Sequence, residues 1–292
     1  MRIDLHTHSL ASDGTQTPGD VVRAAAAAGL DVVALTDHDT TAGWDEAVAA
    51  AQVEDVSLVR GIEVSTRYRG RGVHLLAYLP DPTYPPLQAK LARILEGRAN
   101  RIPEMLDRLA RYADIHLTVD DVRAANPGTS VVGRPHVADA IVAAGHATDR
   151  SDVFDRLVGQ GGPAYVDRYA APLTEMIQAV AGAGGVTVVA HAWGRHGPAG
   201  LTEADVAHLA DQGLAGLEVD HQDHDDVARE RLRAIARDLG LVVTGASDYH
   251  GLGKVDHDLG CNTTSPDDYA RLLELAAASA VRAGRAVPEV VS

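Results

Sequence analysis

The sequence begins Met1-Arg-Ile-Asp-Leu-His6-Thr-His8-Ser-Leu-Ala-Ser-Asp13-Gly14, a short apolar strand pattern that ends in polar chemistry. Because side chains alternate along a strand, His6 and His8 share one face, and two imidazoles held there can bind one metal ion. Asp13 adds a carboxylate in the turn that follows. A buried strand that happens to contain two histidines is the simpler alternative, so the rest of the chain has to decide between the two interpretations.

The same order, a short apolar strand followed by histidine or carboxylate, recurs along the chain. Helices alternate with these strands, which is typical of a parallel sheet with helical crossovers. In such folds functional side chains gather at the carboxyl ends of the strands. Imidazole and carboxylate without thiolate suit Zn, Mn or Fe, so the pattern indicates several metal ions. The residues that end or interrupt predicted strands are His6, His8, Asp37, His38, Glu63, His74, His191, Asp248 and His250, and they include six of the 14 histidines.

Size and composition limit the class of protein. A chain of 292 residues with 46% apolar residues is long enough for one large α/β barrel with a small insertion. The formal charge of −15 argues against duplex DNA as a partner, whereas an anionic substrate is compatible with it if bound cations reverse the local field. With Cys261 alone no internal disulfide forms. No signal-like start and no apolar run near roughly 18 residues is present, so we expect a cytoplasmic protein with no membrane partner.

The alternation of strand and helix stops near Pro80 and resumes near residue 167. A turn-rich stretch leads to one long amphipathic helix, predicted from Leu87 to Tyr112, and then to shorter helices. The sequence therefore predicts a barrel formed by residues 1–80 and 167–292, with residues 81–166 as a helical insertion that caps the substrate site. The arginines of the long helix are expected to form a solvated face, or a rim that attracts a polyanion, and they are Arg93, Arg98, Arg101, Arg108 and Arg111.

Taken together, the motifs resemble the PHP family, named for polymerase and histidinol phosphatase. The matching motifs are His6-x-His8 with Ser-Asp13-Gly, Leu-Thr-Asp37-His38-Asp-Thr, Gly-x-Glu63-Val-Ser, His74, Ala-His191 and Ser-Asp248-x-His250. They cover residues 1–79 and about 184–260. The insertion resembles that of small stand-alone members, which include 3′,5′-nucleoside bisphosphate phosphatases and 5′→3′ exoribonucleases. It carries Gly133-Arg134-Pro135-His136 and Gly162-Pro163-Ala164-Tyr165-Val166.

The resemblance implies an α/β fold, a distorted TIM-like barrel of seven strands and helices, and a site with two to three divalent ions, Mn, Fe or Zn. It also implies how the ligands divide. The first ion would be bound by His6, His8, Glu63 and Asp248, the second by Glu63, His74 and His191, and the third by Asp13, His38 and His250. A metal-bound hydroxide held by Glu63, His8 and Asp248 would attack phosphorus, and no covalent nucleophile of the protein is needed.

Four further residues are expected to contact the substrate. Arg134 and His136 suit phosphate or leaving-group contact, although they could also be surface residues at the start of a helix. Relatives usually carry an arginine shortly after the histidine equivalent to His191, and Arg195 occupies a shifted position here because of one extra residue. His221 follows a predicted strand and could support a ligand, donate a proton or lie in a solvated loop.

The function expected from the resemblance is hydrolysis of a phosphate monoester on a nucleotide-like substrate, with the 3′-phosphate of a 3′,5′-bisphosphonucleotide as first choice. The partner would be a small phosphorylated molecule, a nucleotide or a short RNA. The alternatives left open are a 5′→3′ exoribonuclease, a histidinol-phosphate-type phosphatase, an amide-bond hydrolase and a non-catalytic metal-binding module. All expected ligand positions are filled, which counts against the last of these.

Overall fold

The computed structural model describes residues 1–129, 132–194 and 197–292, and in them strands and helices alternate outside the middle of the chain. No helix in these ranges has both the length and the apolarity required to cross a membrane. The strands are β1 (Ile3–Thr7), β2 (Val32–Leu35), β3 (Ser57–Tyr68), β4 (Arg71–Tyr78), β5 (Ala171–Pro172), β6 (Val186–Val189), β7 (Gly216–Asp220) and β8 (Val242–Gly245). The helices are α1 (Pro18–Ala27), α2 (Trp44–Ala51), α3 (Pro85–Asn100), α4 (Ile102–Ala113), α5 (Val119–Ala125), α6 (Arg134–Ala143), α7 (Arg150–Val153), α8 (Leu173–Gly182), α9 (Glu203–Asp211), α10 (Asp226–Asp238) and α11 (Pro266–Arg282).

The strands form one curved sheet in the order β1-β2-β3-β4-β6-β7-β8, with the short β5 beside β3. The backbone N–H of His8 donates to the carbonyl of Tyr249 at 2.8 Å, so the segment after β8 returns to β1 and nearly closes a barrel. This confirms the predicted distorted seven-stranded barrel. One strand departs from the parallel arrangement, since β4 runs antiparallel to both β3 and β6. The cause is a tight turn at Arg69 and Gly70, whose positive φ values of 47° and 79° reverse the chain.

Side-chain caps fix where the helices around the barrel begin. The hydroxyl of Thr17 accepts the N–H of Asp20 at the start of α1, and that of Thr202 accepts the N–H of Asp205 at the start of α9. Such caps satisfy N–H groups that have no partner within the helix, and each contributes about 1 kcal/mol. These caps therefore fix the residues at which α1 and α9 begin.

Apolar side chains form three clusters. The largest lies between the barrel strands and the helices around them, and it includes Leu87 and Ile94 of α3. The second joins strand residues such as Leu5 and Val188 to α11. The third, which we call the insertion core, is formed by residues between Ile102 and Val166 alone. Since α3 packs with the barrel, this distribution supports an insertion that begins near residue 101 rather than at 81, and the domain boundary stays a proposal.

The prediction of a single helix from Leu87 to Tyr112 is wrong. The chain forms α3 and then α4, and they meet at Arg101, which ends the first and precedes the second. Pro103 lies in the first turn of α4, where a residue without a backbone N–H is tolerated, whereas inside a continuous helix it would remove a hydrogen bond. The break places Arg101 between the two helices, where it lines the same cavity as Arg98 of α3.

Candidate metal centre

Four ligand atoms meet at the carboxyl end of the barrel. We call this set the central group, and it consists of His6, His8, Glu63 and Asp248, all buried. The Nε2 atoms of His6 and His8 lie 3.0 Å apart. Glu63 Oε2 is 3.3 and 3.2 Å from these two nitrogens, and Asp248 Oδ1 is 3.4 and 3.3 Å from them. The two histidines at the end of β1 therefore converge on one point together with carboxylates from distant parts of the chain.

The chemistry of the central group fits a divalent cation. The Nδ1 atom of His6 lies 2.9 Å from the carboxylate of Glu218, which can only accept a hydrogen bond, so the proton is on Nδ1 and Nε2 presents a lone pair. Ligands bonded at 2.0–2.1 Å to one ion are about 3.0–3.4 Å from one another, which matches the separations in the central group. Lone pairs this close repel each other unless a cation lies between them.

Glu63 lies between the central group and three further imidazoles. Its Oε1 is 2.7 Å from Nδ1 of His74 and 3.1 Å from Nε2 of His191, and its Oε2 is 3.0 Å from Nδ1 of His38. Burial opposes ionisation of Glu63, but His38, His74 and His6 outweigh burial and hold the pKa of this carboxyl well below its ordinary value. An ionised carboxylate with both oxygens in use is the arrangement that can bridge two metal ions.

A third set of donors surrounds Asp13. Its carboxylate oxygens lie 3.6 Å from Nε2 of His38 and 3.4 Å from Nε2 of His250, and His8 approaches within 3.7 Å. Two of these three separations exceed the widest separation in the central group, which is 3.4 Å. The structure thus brings together all nine residues that the sequence predicts as metal ligands, and their division among ions stays a proposal.

Two of the predicted ligands have an unusual backbone. His191 and Asp248 have φ values of 31° and 53°, a region that residues with a Cβ adopt infrequently. His191 lies two residues after the end of β6, and Asp248 lies three residues after the end of β8. The backbone N–H of His191 donates to Glu218 Oε2 at 2.7 Å, which holds this conformation in place. Local strain of this kind persists where surrounding contacts fix it, and it is frequent at functional sites.

Glu218 is a site residue that the sequence interpretation missed. It lies in β7, is completely buried, and contacts both His6 and the backbone of His191. Burial opposes its ionisation, but the neighbouring His6 outweighs burial and lowers the pKa of Glu218 to about 2. The sequence does contain a signal for it, a glutamate between Leu217 and Val219 in a predicted apolar strand. Because a buried charge without a partner is costly, such a glutamate is expected to have a partner inside the protein.

Replacing Glu218 by glutamine is expected to weaken metal binding by about 10- to 100-fold, the usual effect of removing a group that orients a ligand. One amide oxygen can still accept from His6, but the amide NH₂ then faces the backbone N–H of His191, and the two donors conflict. Calorimetric titration with Mn²⁺ measures the affinity, and the exposed Glu230→Gln variant is the control. Unchanged affinity in Glu218→Gln would show that His6 needs no such support.

The residues expected to contact substrate have different locations. Arg134 lines the cavity that contains the metal donors, which has a volume of about 330 Å³. His136 is 2% exposed and accepts the N–H of Gly133 at 2.8 Å, and His221 is completely buried with Nε2 3.3 Å from Asp248 Oδ2. Neither of these two histidines lines the cavity, so we do not retain them as substrate-binding residues. Arg195 lies outside the described residues.

Arginine side chains also line this cavity. We call Arg98, Arg101, Arg134 and Arg168 the arginine cluster. Arg98 and Arg101 are only 5% and 6% exposed, so the interpretation of the long helix as a solvated face is wrong for these two. Arg98 pairs with Asp39 at 2.6 Å.

The arginine cluster holds more positive charge than its partners neutralise. In the described part of the chain neither Arg101 nor Arg168 forms an ion pair, and Nε of Arg101 is buried without a hydrogen-bond partner. Burial, reinforced by Arg168, Arg134 and Arg98, lowers the pKa of Arg101 to about 8. Guanidinium groups present several donors suited to a phosphate. An anion in the cavity would therefore relieve the cost of burying these charges.

Comparison with known proteins agrees with this geometry. Residues 4–120 match the family model of the PHP domain. A 5′-3′ exoribonuclease of Haemophilus influenzae is 33% identical over 85% of this chain and 90% of its own length. A 3′,5′-nucleoside bisphosphate phosphatase of Chromobacterium violaceum is 35% identical over 88% and 90%. A structure from Bifidobacterium adolescentis, described as a metal-dependent phosphoesterase, superposes with a TM-score of 0.88 at 39% identity and covers 94% of this chain and 96% of that one.

Proposed function

The chain belongs to the PHP domain family, and we propose that it removes the 3′-phosphate from a nucleoside 3′,5′-bisphosphate with the help of divalent metal ions. Membership confirms the resemblance carried by the sequence motifs. The relatives named above are hydrolases of phosphate ester bonds, and this chain is a hydrolase of the same class. The substrate, the number of ions and the role of each residue are the parts that we propose.

The observation that carries the proposal is one cavity with two kinds of anion site. Seven of the nine predicted metal ligands, all except His6 and His8, line it together with the arginine cluster, Arg150 and Lys254. Arg150 is bound to Asp139 at 2.5 and 2.7 Å, so it is less available to a ligand than Arg101. A substrate with a single phosphate would use the metal donors and leave the arginine charges uncompensated. A bisphosphate satisfies both.

The roles of the residues follow from the contacts. We assign one ion to the central group, a second to Glu63, His74 and His191, and a third to Asp13, His38 and His250, with Mn, Fe and Zn all compatible with these donors. Bound there, such ions supply an activated water and neutralise charge on the phosphoryl oxygens. Glu218 orients His6, and His221 donates from Nε2 to Asp248, because its Nδ1 accepts the N–H of Asp223. The arginine cluster binds the second phosphate and fixes which ester faces the metal donors.

A 5′→3′ exoribonuclease is the second candidate, and a second cavity favours it. This cavity, of about 630 Å³, adjoins the first along Arg101, Arg134 and Arg168. It continues past Tyr165 and Gln160, which do not line the first cavity. A 5′-phosphorylated RNA would place its first phosphate at the arginine cluster and extend further nucleotides into this space.

The direct test is release of inorganic phosphate by the purified protein with added Mn²⁺. We expect adenosine 3′,5′-bisphosphate to yield adenosine 5′-monophosphate with a kcat/KM at least about 100-fold above that for adenosine 3′-monophosphate, because a phosphate held by charged donors contributes about 1.5–3 kcal/mol per hydrogen bond. Short 5′-phosphorylated RNA, histidinol phosphate and a peptide amide are the competing substrates. A higher kcat/KM on any of them would contradict the proposal, and metal binding without turnover of any ester would indicate a non-catalytic module.

A further inference from the structure

The cavity that contains the metal donors has one apolar wall. Most of the described residues that line it carry a charge or an imidazole, and its apolar side chains are Pro135 and Phe154. Phe154 is the single phenylalanine of the chain. It is half-buried, since it packs against the insertion core on one side and lines the cavity on the other. The chain thus places its one phenylalanine at the cavity wall rather than inside a core.

Phe154 is held by an unusual local structure. It begins a π-helical turn, Phe154–Val158, that follows α7 directly. The N–H of Gly159 donates to the carbonyl of Phe154 at 2.9 Å, and a Cβ at position 159 would lie 2.2 Å from that oxygen. The turn therefore requires glycine there. Single π-helical turns are rare and occur frequently at functional sites.

We propose that the ring of Phe154 is the platform on which the nucleobase of the substrate stacks. This inference rests on the proposed function, in which the metal donors and the arginine cluster bind the two phosphates. The base is the remaining part of such a substrate, and it is a flat, largely apolar group. A charged wall would have to lose hydration to receive it, whereas an aromatic ring stacks on any base without hydrogen bonds that read its identity.

Phe154 has a second contact that gives a competing explanation. The guanidinium carbon of Arg134 lies 5.4 Å from the ring centroid of Phe154 and 5.6 Å from that of Tyr165. Phe154 could thus act only by positioning Arg134 for phosphate. Tyr165 makes the same contact but lines only the second cavity, whereas Phe154 lines both cavities. Tyr165 is therefore the matched control, because its removal disturbs Arg134 without removing the proposed platform.

The test compares a nucleotide with an analogue that lacks the base. The manganese-loaded enzyme is assayed with adenosine 3′,5′-bisphosphate and with 1,4-anhydroribitol 3,5-bisphosphate, and the ratio of the two kcat/KM values is the readout. Phe154→Leu should lower this ratio by roughly tenfold, within the range known for base stacking, and Phe154→Tyr should restore it. Tyr165→Leu should leave the ratio unchanged even if both values fall. An unchanged ratio in Phe154→Leu overturns the proposal.

A binding measurement separates this inference from the proposed function. Adenosine 5′-monophosphate and 1,4-anhydroribitol 5-phosphate are titrated into the protein by calorimetry, which requires no turnover. Wild type should bind the nucleotide roughly tenfold more tightly, and Phe154→Leu should lose this preference. If no bisphosphate is hydrolysed, the proposed function fails while the binding preference still decides on the platform. Equal affinity of wild type for both compounds overturns the platform whatever the enzyme hydrolyses.

Discussion

Replacing Glu63 by glutamine lowers kcat/KM by at least about a thousand-fold, because metal-assisted hydrolysis depends on charge stabilisation worth several kcal/mol. The carboxylate lies within 3.3 Å of imidazole nitrogens from five histidines, and both of its oxygens are in use. Glutamine is neutral, offers one oxygen, and turns an NH₂ group toward atoms that present lone pairs. Two of the proposed ions would therefore lose a shared ligand at once.

The Glu63 prediction is checked by kcat/KM together with the metal content of the protein after dialysis. The matched control is Glu203→Gln, an exposed glutamate in the first turn of α9. We expect the Glu63 variant to retain fewer ions than wild type and the Glu203 variant to match wild type in both measurements. A loss of activity smaller than tenfold, with the metal content of wild type, would contradict the role of Glu63 as a shared metal ligand.

Replacing Arg101 by methionine lowers kcat/KM for a 3′,5′-bisphosphate by about 10- to 100-fold, since a hydrogen bond to a charged group contributes about 1.5–3 kcal/mol. Adenosine 3′-monophosphate lacks the group that Arg101 would bind, so its kcat/KM should change little. The same variant should melt at a higher temperature without ligand. Methionine fills a similar space, and the substitution removes one buried charge that has no ion-pair partner in the described chain.

The exposed Arg111→Met variant of α4 is the control for Arg101 and should change neither measurement. Inorganic phosphate should raise the melting temperature of wild type more than that of Arg101→Met, because a ligand stabilises the state that binds it. Equal losses on the bisphosphate and the monophosphate would place Arg101 outside the second phosphate site.

Most of the barrel could be predicted because its signals are local. An apolar run followed by histidine or carboxylate marks a strand end in a single stretch of sequence, as at Val186–Val189 and His191. The direction of β4 could not be predicted, because apolar alternation is the same in parallel and antiparallel strands. Strand β3 runs without a break over Ser57–Tyr68, although Arg60 and Gly61 interrupt the apolar pattern of the sequence.

The parts of the site that were missed depend on contacts between distant residues. Helical periodicity places Arg98 on a polar face, but only the fold shows that Asp39 and Ser65 cover that face. Glu218 likewise has distant partners, His6 in β1 and His191 in the loop after β6. The donors of the candidate metal centre could be brought together from sequence because histidines and carboxylates recur at the ends of several predicted strands. An arginine or a glutamate becomes informative only when its neighbours are known.

The hydrogen bond between His8 and Tyr249 also bears on the order in which parts of the barrel can fold during translation. Strand β1 leaves the ribosome before β8, yet its outer edge is completed only by residues that follow β8. Closing so long a loop costs conformational entropy before any pairing compensates, so this junction forms late. The helices that share the insertion core are close in sequence and can assemble earlier. Nascent chains therefore carry β1 with one uncovered edge until the segment after β8 has been synthesised.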